Sequence, residues 1–209
     1  MPSSRKSGDS YHHGDLRRAL VEAATAIVAE DQNWEFSLRE VARRAGVSHN
    51  APYRHFPEKL DLLAAVAAEG FHSLRSAMIE AAKAPKSPDD ALVAIGSAYI
   101  RFGTENPARY RLMFGAALAA SKAALPPLVG QAAAASRDVL AAVVADGVRQ
   151  NRFAAAPGDD GEMSILALSA WATVHGLTML IIDGLSDVEP SPSLPERVGR
   201  ALLDGVRKR

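Results

Sequence analysis

The sequence predicts an all-α protein: a small N-terminal three-helix unit with a helix-turn-helix, then a larger helical bundle, about nine helices in all. Three observations carry this. Apolar residues recur at helical spacing, helix start and stop signals punctuate the chain, and the alternating β-branched runs that mark sheets are missing.

Residues 1–14 read as a polar arm with two glycines. Leu16, Ala19, Leu20, Ala23 and Ile27 then form the stripe of a first helix, with Asp15 as its expected N-cap. Ser37 and Glu40 have capping-box spacing at the start of a second helix. Its apolar face is Leu38, Val41, Ala42 and Ala45, and Gly46 is placed to end it in the left-handed conformation. Ser48 is the expected cap of a short third helix, and Pro57 is expected to open a fourth that runs to about Ala82. Ser87-Pro88-Asp89-Asp90 and Asn106-Pro107 each pair a cap with proline at the first helical position. Leu125-Pro126-Pro127 precedes a helix expected to reach about Asn151. Gly158-Asp159-Asp160-Gly161 precedes an uncharged stretch, residues 163–182, that closes at Asp183-Gly184. After a Pro-Ser linker, a last helix is expected over residues 195–207.

Composition narrows the function. Lys and Arg number 24 and Asp and Glu 24, so any contact with nucleic acid must come from a local patch. Without cysteine, disulfide scaffolds, Cys-zinc sites and thiol nucleophiles are excluded. Residues 1–10 contain no apolar core of a secretory signal, and a cytoplasmic location is expected. Residues 163–182 have the length of a membrane span, but they hold Ser164, Ser169, Thr173, His175 and Thr178 and lack basic flanks. A helix buried in a bundle or between subunits is the expected reading, and no membrane partner is expected.

The pattern with functional content lies between Ser37 and Phe56. Two helices crossing at a short turn need a small residue at the crossing, a residue tolerant of positive φ in the turn, and an apolar plug after it. Ala42, Gly46 and Val47 supply these. The outer face of the following helix would carry His49, Asn50 and Arg54 toward a major groove, where Asn pairs with adenine and Arg with guanine or phosphate. From Arg39 to Lys59 five basic residues face two acidic ones, whereas residues 1–70 hold nine basic and ten acidic. The charge signal is thus a patch.

SLREVARRAGVSHNAPYRHFPEKLDLL, residues 37–63, resembles the DNA-binding segment of the tetracycline-repressor (TetR) family of bacterial regulators. The stretch from Asn106 to Phe114, together with Trp171, His175 and Gly176, is similar to the branch of that family whose C-terminal domain takes its name from Trp-His-Gly. The resemblance implies a homodimer gripping a pseudo-palindromic double-stranded operator, and a small-molecule effector in the C-terminal bundle. It implies a DNA-binding domain over residues 15–63 and an effector-binding and dimerisation domain over residues 64–209. It also implies phosphate contacts for Tyr53, His55 and Lys59, backbone or base contacts for Ser48, His49 and Asn50, and a DNA-reaching arm at Tyr11 and His12. The departure is Pro52, which clashes with the Ser48 carbonyl if the helix is regular from Ser48. Either that helix starts later, capped by Asn50, or its first turn is loosened.

Candidate effector-pocket residues are Phe102, Tyr110, Met113, Phe114, Trp171 and His175. Trp171 and His175 share a helix face and suit either a pocket or a dimer interface. Glu69 and His72 have the spacing of a di-iron pair, but no second such pair exists, so a surface helix is the expected reading. No cofactor is implied. The sequence contains no nucleophile elbow, phosphate-binding loop, dinucleotide fingerprint or HExxH, which argues against an all-α enzyme. A ligand-binding or scaffold protein with an idle helix-turn-helix is the remaining alternative.

Overall fold

A computed structural model describes residues 13–115, 118, 126–154, 164–185 and 191–206. They contain eight α-helices, one 3-10 turn and no strand. The helices are α1 (His13–Asp31), α2 (Leu38–Arg44), α3 (Lys59–Ala81), α4 (Pro88–Glu105), α5 (Pro107–Phe114), α6 (Pro127–Arg149), α7 (Ile165–Ile182) and α8 (Leu194–Val206). The expected arm contacts at Tyr11 and His12 and the glycine-rich run 158–161 lie outside the described residues.

Most of the predicted punctuation operates. Ser37 accepts the Glu40 N–H at 3.2 Å and Ser87 that of Asp90 at 3.2 Å; Ser164, not foreseen as a cap, accepts that of Ala167 at 3.1 Å. Pro88, Pro107 and Pro127 open their helices, where a missing N–H costs nothing. Three expectations need correction. Asp15 falls inside the first turn of α1, which starts at His13. Glu40 does not complete a reciprocal box, because its carboxylate binds Arg43 at 2.5 Å. Pro57 does not open α3; Glu58 caps it, with its N–H donated to the Asp61 carboxylate at 2.9 Å.

The largest correction concerns the third helix. Ser48 caps no α-helix. Residues 48–51 form a turn, with the Ala51 N–H bonded to the Ser48 carbonyl at 2.9 Å, and Pro52–Arg54 follow as a single 3-10 turn. Proline explains the outcome. It lacks the N–H that a regular helix from Ser48 requires, and here it takes the first position of the tighter turn, its ring buried.

The architecture turns on α3. Its residues 62–68 are all buried, so the first half is surrounded, whereas Glu69, His72, Arg75 and Glu80 give the second half an exposed face. It packs on α1 at one end and on α4, α5 and α6 along the rest. The chain position expected to separate two domains, between residues 63 and 64, lies inside this helix. Helix α4 forms a second axis, packed against α3, α6, α7 and α8. Gly103 on α4 allows close approach, since a Cβ there would lie 2.3 Å from Thr178 Cγ2 on α7.

α6 and α7 are long and apolar enough to cross a membrane by length and composition. α7 is less enclosed than the sequence suggested: Ile165, Leu168 and Leu180 are 57%, 45% and 45% exposed. Yet α7 packs on α4, α6 and α8, and α6 carries Arg137, Asp138, Asp146 and Arg149 within its span.

The turn after α2 yields a stability prediction. Gly46 has φ +69°, and the Gly46 and Val47 N–H groups bond the Arg43 and Ala42 carbonyls at 3.2 and 3.0 Å, the full Schellman pattern. No atom lies within 4 Å of a Cβ built at Gly46, so its replacement is penalised by backbone conformation alone. Gly46→Ala should lower stability in urea unfolding by about 1–2 kcal/mol, and Gly46→Asn by less. Equal losses for the two variants would contradict this assignment.

Candidate nucleic-acid interface and effector cavity

α2 and the following turn are held by a few buried anchors. Val41 and Ala42 are 0% and 1% exposed, and Val47 packs half-buried against the same core. Beyond the turn, Pro52 and Phe56 point inward while Tyr53 and Arg54 point out, and His55 is half-buried. Ser48, His49 and Asn50 are all exposed. The segment is thus fixed from below and presents its polar side chains to solvent, Tyr53 at 47% exposure. With the helix loosened by Pro52, His49 and Asn50 both stand on the open turn.

Charge on this face differs from the sequence count. Arg43 is engaged by Glu40, and Arg44 by Glu30 on α1, a residue outside the counted stretch. These pairs hold both carboxylates below the usual range, chiefly through the hydrogen bonds from the guanidinium groups. Arg39, Arg54 and Lys59 form no ion pair among the described residues. Lys59 sits at the start of α3 with Nζ 5.2 Å from the Phe36 ring centroid, which directs the ammonium along the protein surface. Lysine packed on aromatic carbon retains its N–H donors for an anion.

A partly open cavity of about 40 Å³ lies where α3, α4, α5, α6, α7 and α8 converge. Phe71, Ile95, Leu140, Val174 and Leu202 supply apolar walls. Of the sequence candidates, Phe114 and Trp171 line it. Tyr110 and His175 stand behind Tyr99, Phe102 lies beneath the Arg109 guanidinium, and Met113 packs where a Cβ on Gly70 would fall. The sequence reading missed Tyr99 and Arg137. Arg137 was legible as a cation within an alanine-rich helix, whereas nothing in the sequence marked Tyr99, since a tyrosine on a helical apolar face usually belongs to the core.

Behind the cavity lies a four-residue polar cluster. Tyr110 and Tyr99 hydroxyls are 2.9 Å apart, and the Trp171 indole N–H donates to Tyr99 at 3.1 Å. His175 Nδ1 lies 2.7 Å from the Tyr110 hydroxyl and 3.3 Å from that of Tyr99. Burial pushes the Tyr99 phenol up to about 12, drives that of Tyr110 up as well, and pushes His175 down. All four groups stay uncharged near neutrality. Glu69 and His72 are exposed on α3, consistent with a surface helix.

This combination of an outward-facing helix-turn-helix and an all-α bundle matches known proteins over most of the chain. Residues 20–66 match the bacterial regulatory proteins of the tetR family, and residues 92–205 match the tetracyclin repressor-like C-terminal domain. The chain belongs to the TetR family of bacterial transcriptional regulators. It is similar to the HTH-type transcriptional repressor LfrR of Mycolicibacterium smegmatis, 37% identical over 75 residues. That match takes in 36% of this chain and 38% of the relative, so it spans well under half the length of either. A protein of unknown function from Rhodococcus sp. RHA1 is similar over 96% of this chain and 100% of its own, with 30% identity and a TM-score of 0.79. A TetR family regulator from Marinobacter aquaeolei shares the fold at a TM-score of 0.69 and 19% identity, over 94% and 97% of the two chains.

The polar cluster makes a pH prediction. His175 binds protons less readily in the folded state than unfolded, so below the ordinary value of 6.5 the unfolded chain takes up more protons. Its contribution to stability is complete above that value and is lost as pH falls through it. Urea unfolding between pH 7.5 and 5 should show stability declining with acid, and His175→Gln should flatten the decline. An unchanged pH slope in the variant would contradict the buried neutral imidazole.

Proposed function

We propose that the protein is a ligand-responsive repressor that binds a pseudo-palindromic operator as a cytoplasmic homodimer. The observation that carries this reading is the exposed row Ser48, His49, Asn50, Tyr53 and Arg54, anchored by buried Pro52 and Phe56 and flanked by Arg39 and Lys59. Affinity arises from Tyr53, His55 and Lys59 on phosphates, and specificity from Ser48, His49, Asn50 and Arg54 in the groove. The DNA-binding domain runs to about residue 63, and residues 64–209 serve as the effector-binding and dimerisation domain. Trp171, His175 and Gly176 support assignment to the Trp-His-Gly branch.

The exposed apolar side chains of α6 and α7, Leu128, Ile165, Leu168 and Leu180, support burial against a second copy. A dimer accounts for those faces without a membrane, since α7 already packs inward on three helices. The cavity supports an effector site. At about 40 Å³ it holds only a few waters, whereas a drug-sized ligand needs roughly 300 Å³ or more. Effector entry must therefore spread the surrounding helices, and α3 and α5 carry that displacement toward α1. Only the difference in effector affinity between the two arrangements moves operator occupancy.

Fluorescence anisotropy with DNA from the promoter of the protein's own gene tests the reading. Saturable binding that survives excess unrelated duplex is expected; equal affinity for both would contradict it. Lys59→Ala should weaken binding to all sequences and flatten the logarithmic salt dependence by about 0.9. Asn50→Ala should instead relax preference at one base position per half-site, at a cost of ~1–3 kcal/mol. A uniform loss on every DNA from Asn50→Ala would overturn its base-reading role.

A further inference from the structure

We infer that the bundle cavity takes an amphipathic carboxylate, an apolar chain with an anionic head, and that Arg137 on α6 holds the head. This deepens the effector reading above and rests on it for the link to DNA, though not for binding itself. Among the described residues the cavity wall is hydrocarbon and aromatic apart from a few groups and contains no Asp or Glu. Its hydroxyls are engaged within the protein. Ser136 donates to the Ala133 carbonyl at 2.8 Å, Thr173 to that of Ser169 at 2.9 Å, and Tyr99 belongs to the Tyr110–Trp171–His175 cluster.

Arg137 is the exception. It lines the cavity, is half-buried, and forms no ion pair or hydrogen bond among the described residues. Its guanidinium lies over the indole of Trp171, with Cζ 5.8 Å from the ring centroid. A guanidinium over an aromatic face keeps its N–H donors, and their fork matches both oxygens of a carboxylate. Its neighbours on the chain contrast with it: Arg149 binds Asp146 at 2.7 Å and Arg152 binds Asp89 at 2.8 Å. Without an ion pair among the described residues, Arg137 repels cationic effectors and favours an anion, which its paired N–H donors can hold. The polar cluster behind Tyr99 offers no competing charge, because each of its groups is neutral.

The test uses the full-length protein and three eight-carbon probes, octanoate, octanol and octylamine, below their micellar concentrations. Trp34 and Trp171 are the two tryptophans, so Trp34→Phe isolates the emission of the cavity residue. Octanoate should shift that emission with at least roughly tenfold tighter affinity than octanol, the range expected for a hydrogen bond to a charged group, and octylamine should bind weakest. Arg137→Gln should bring octanoate down to the affinity of octanol while leaving octanol unchanged. Arg137→Lys should retain part of the preference, and unfolding curves of both variants check that the fold is kept. Equal or tighter binding of octanol, a carboxylate preference that survives Arg137→Gln, or no binding of any probe would each overturn the inference. Operator release is read separately by anisotropy. Octanoate that binds through Arg137 without releasing DNA would leave the carboxylate site standing and refute the effector role.

Discussion

The burial of residues 62–68 of α3 on every side is the constraint from which the rest of the molecule follows. A helix with seven consecutive buried residues cannot slide or tilt without disturbing what packs against it. Its first residue, Lys59, borders the surface proposed to meet DNA, and Phe71 and Met78 wall the cavity. At 1.5 Å per residue, the run from Lys59 to Met78 is roughly 28 Å long. One helix thus joins the two regions to which separate tasks are assigned.

Helix α5 is the second connection. Phe114 at its end lines the cavity, Tyr110 enters the polar cluster, and the helix also packs on α1 and α3. Arg111 ties it to the end of α7, donating to Asp183 at 2.7 Å and to the Ile182 carbonyl at 2.9 Å. A helix of eight residues carries almost no intrinsic stability, so these tertiary contacts determine where it sits. Displacement of Phe114 by an occupant would act on α5 with leverage, because the helix is short and clamped at named points.

Much of this was legible in the chain. Ser87, Pro88, Pro107 and Gly46 each announce an element boundary through a local rule that no distant contact overrides. The helix-turn-helix was legible for the same reason: Ala42, Gly46 and Val47 satisfy demands set by a few ångströms of backbone. What failed needed knowledge of the third dimension. The capping partner of Glu40 was lost to Arg43, a competition that spacing alone does not decide. The charge of the patch depended on Glu30, distant in sequence but adjacent in space to Arg44. The effector candidates were chosen as aromatics. Aromatic character does not distinguish Phe114, at the cavity wall, from Phe102, in the core under Arg109. Arg137 and Tyr99 gain meaning only once six helices are seen to converge.

The central claim is that two copies present the turn around Ser48 to Arg54 to consecutive major grooves. Hydroxyl-radical footprinting of the protein on its own promoter DNA tests it most directly. The account predicts two protected patches on one face of the duplex, centred about 10 base pairs apart or a whole multiple of that spacing. A single protected patch, or two on opposite faces, would contradict it.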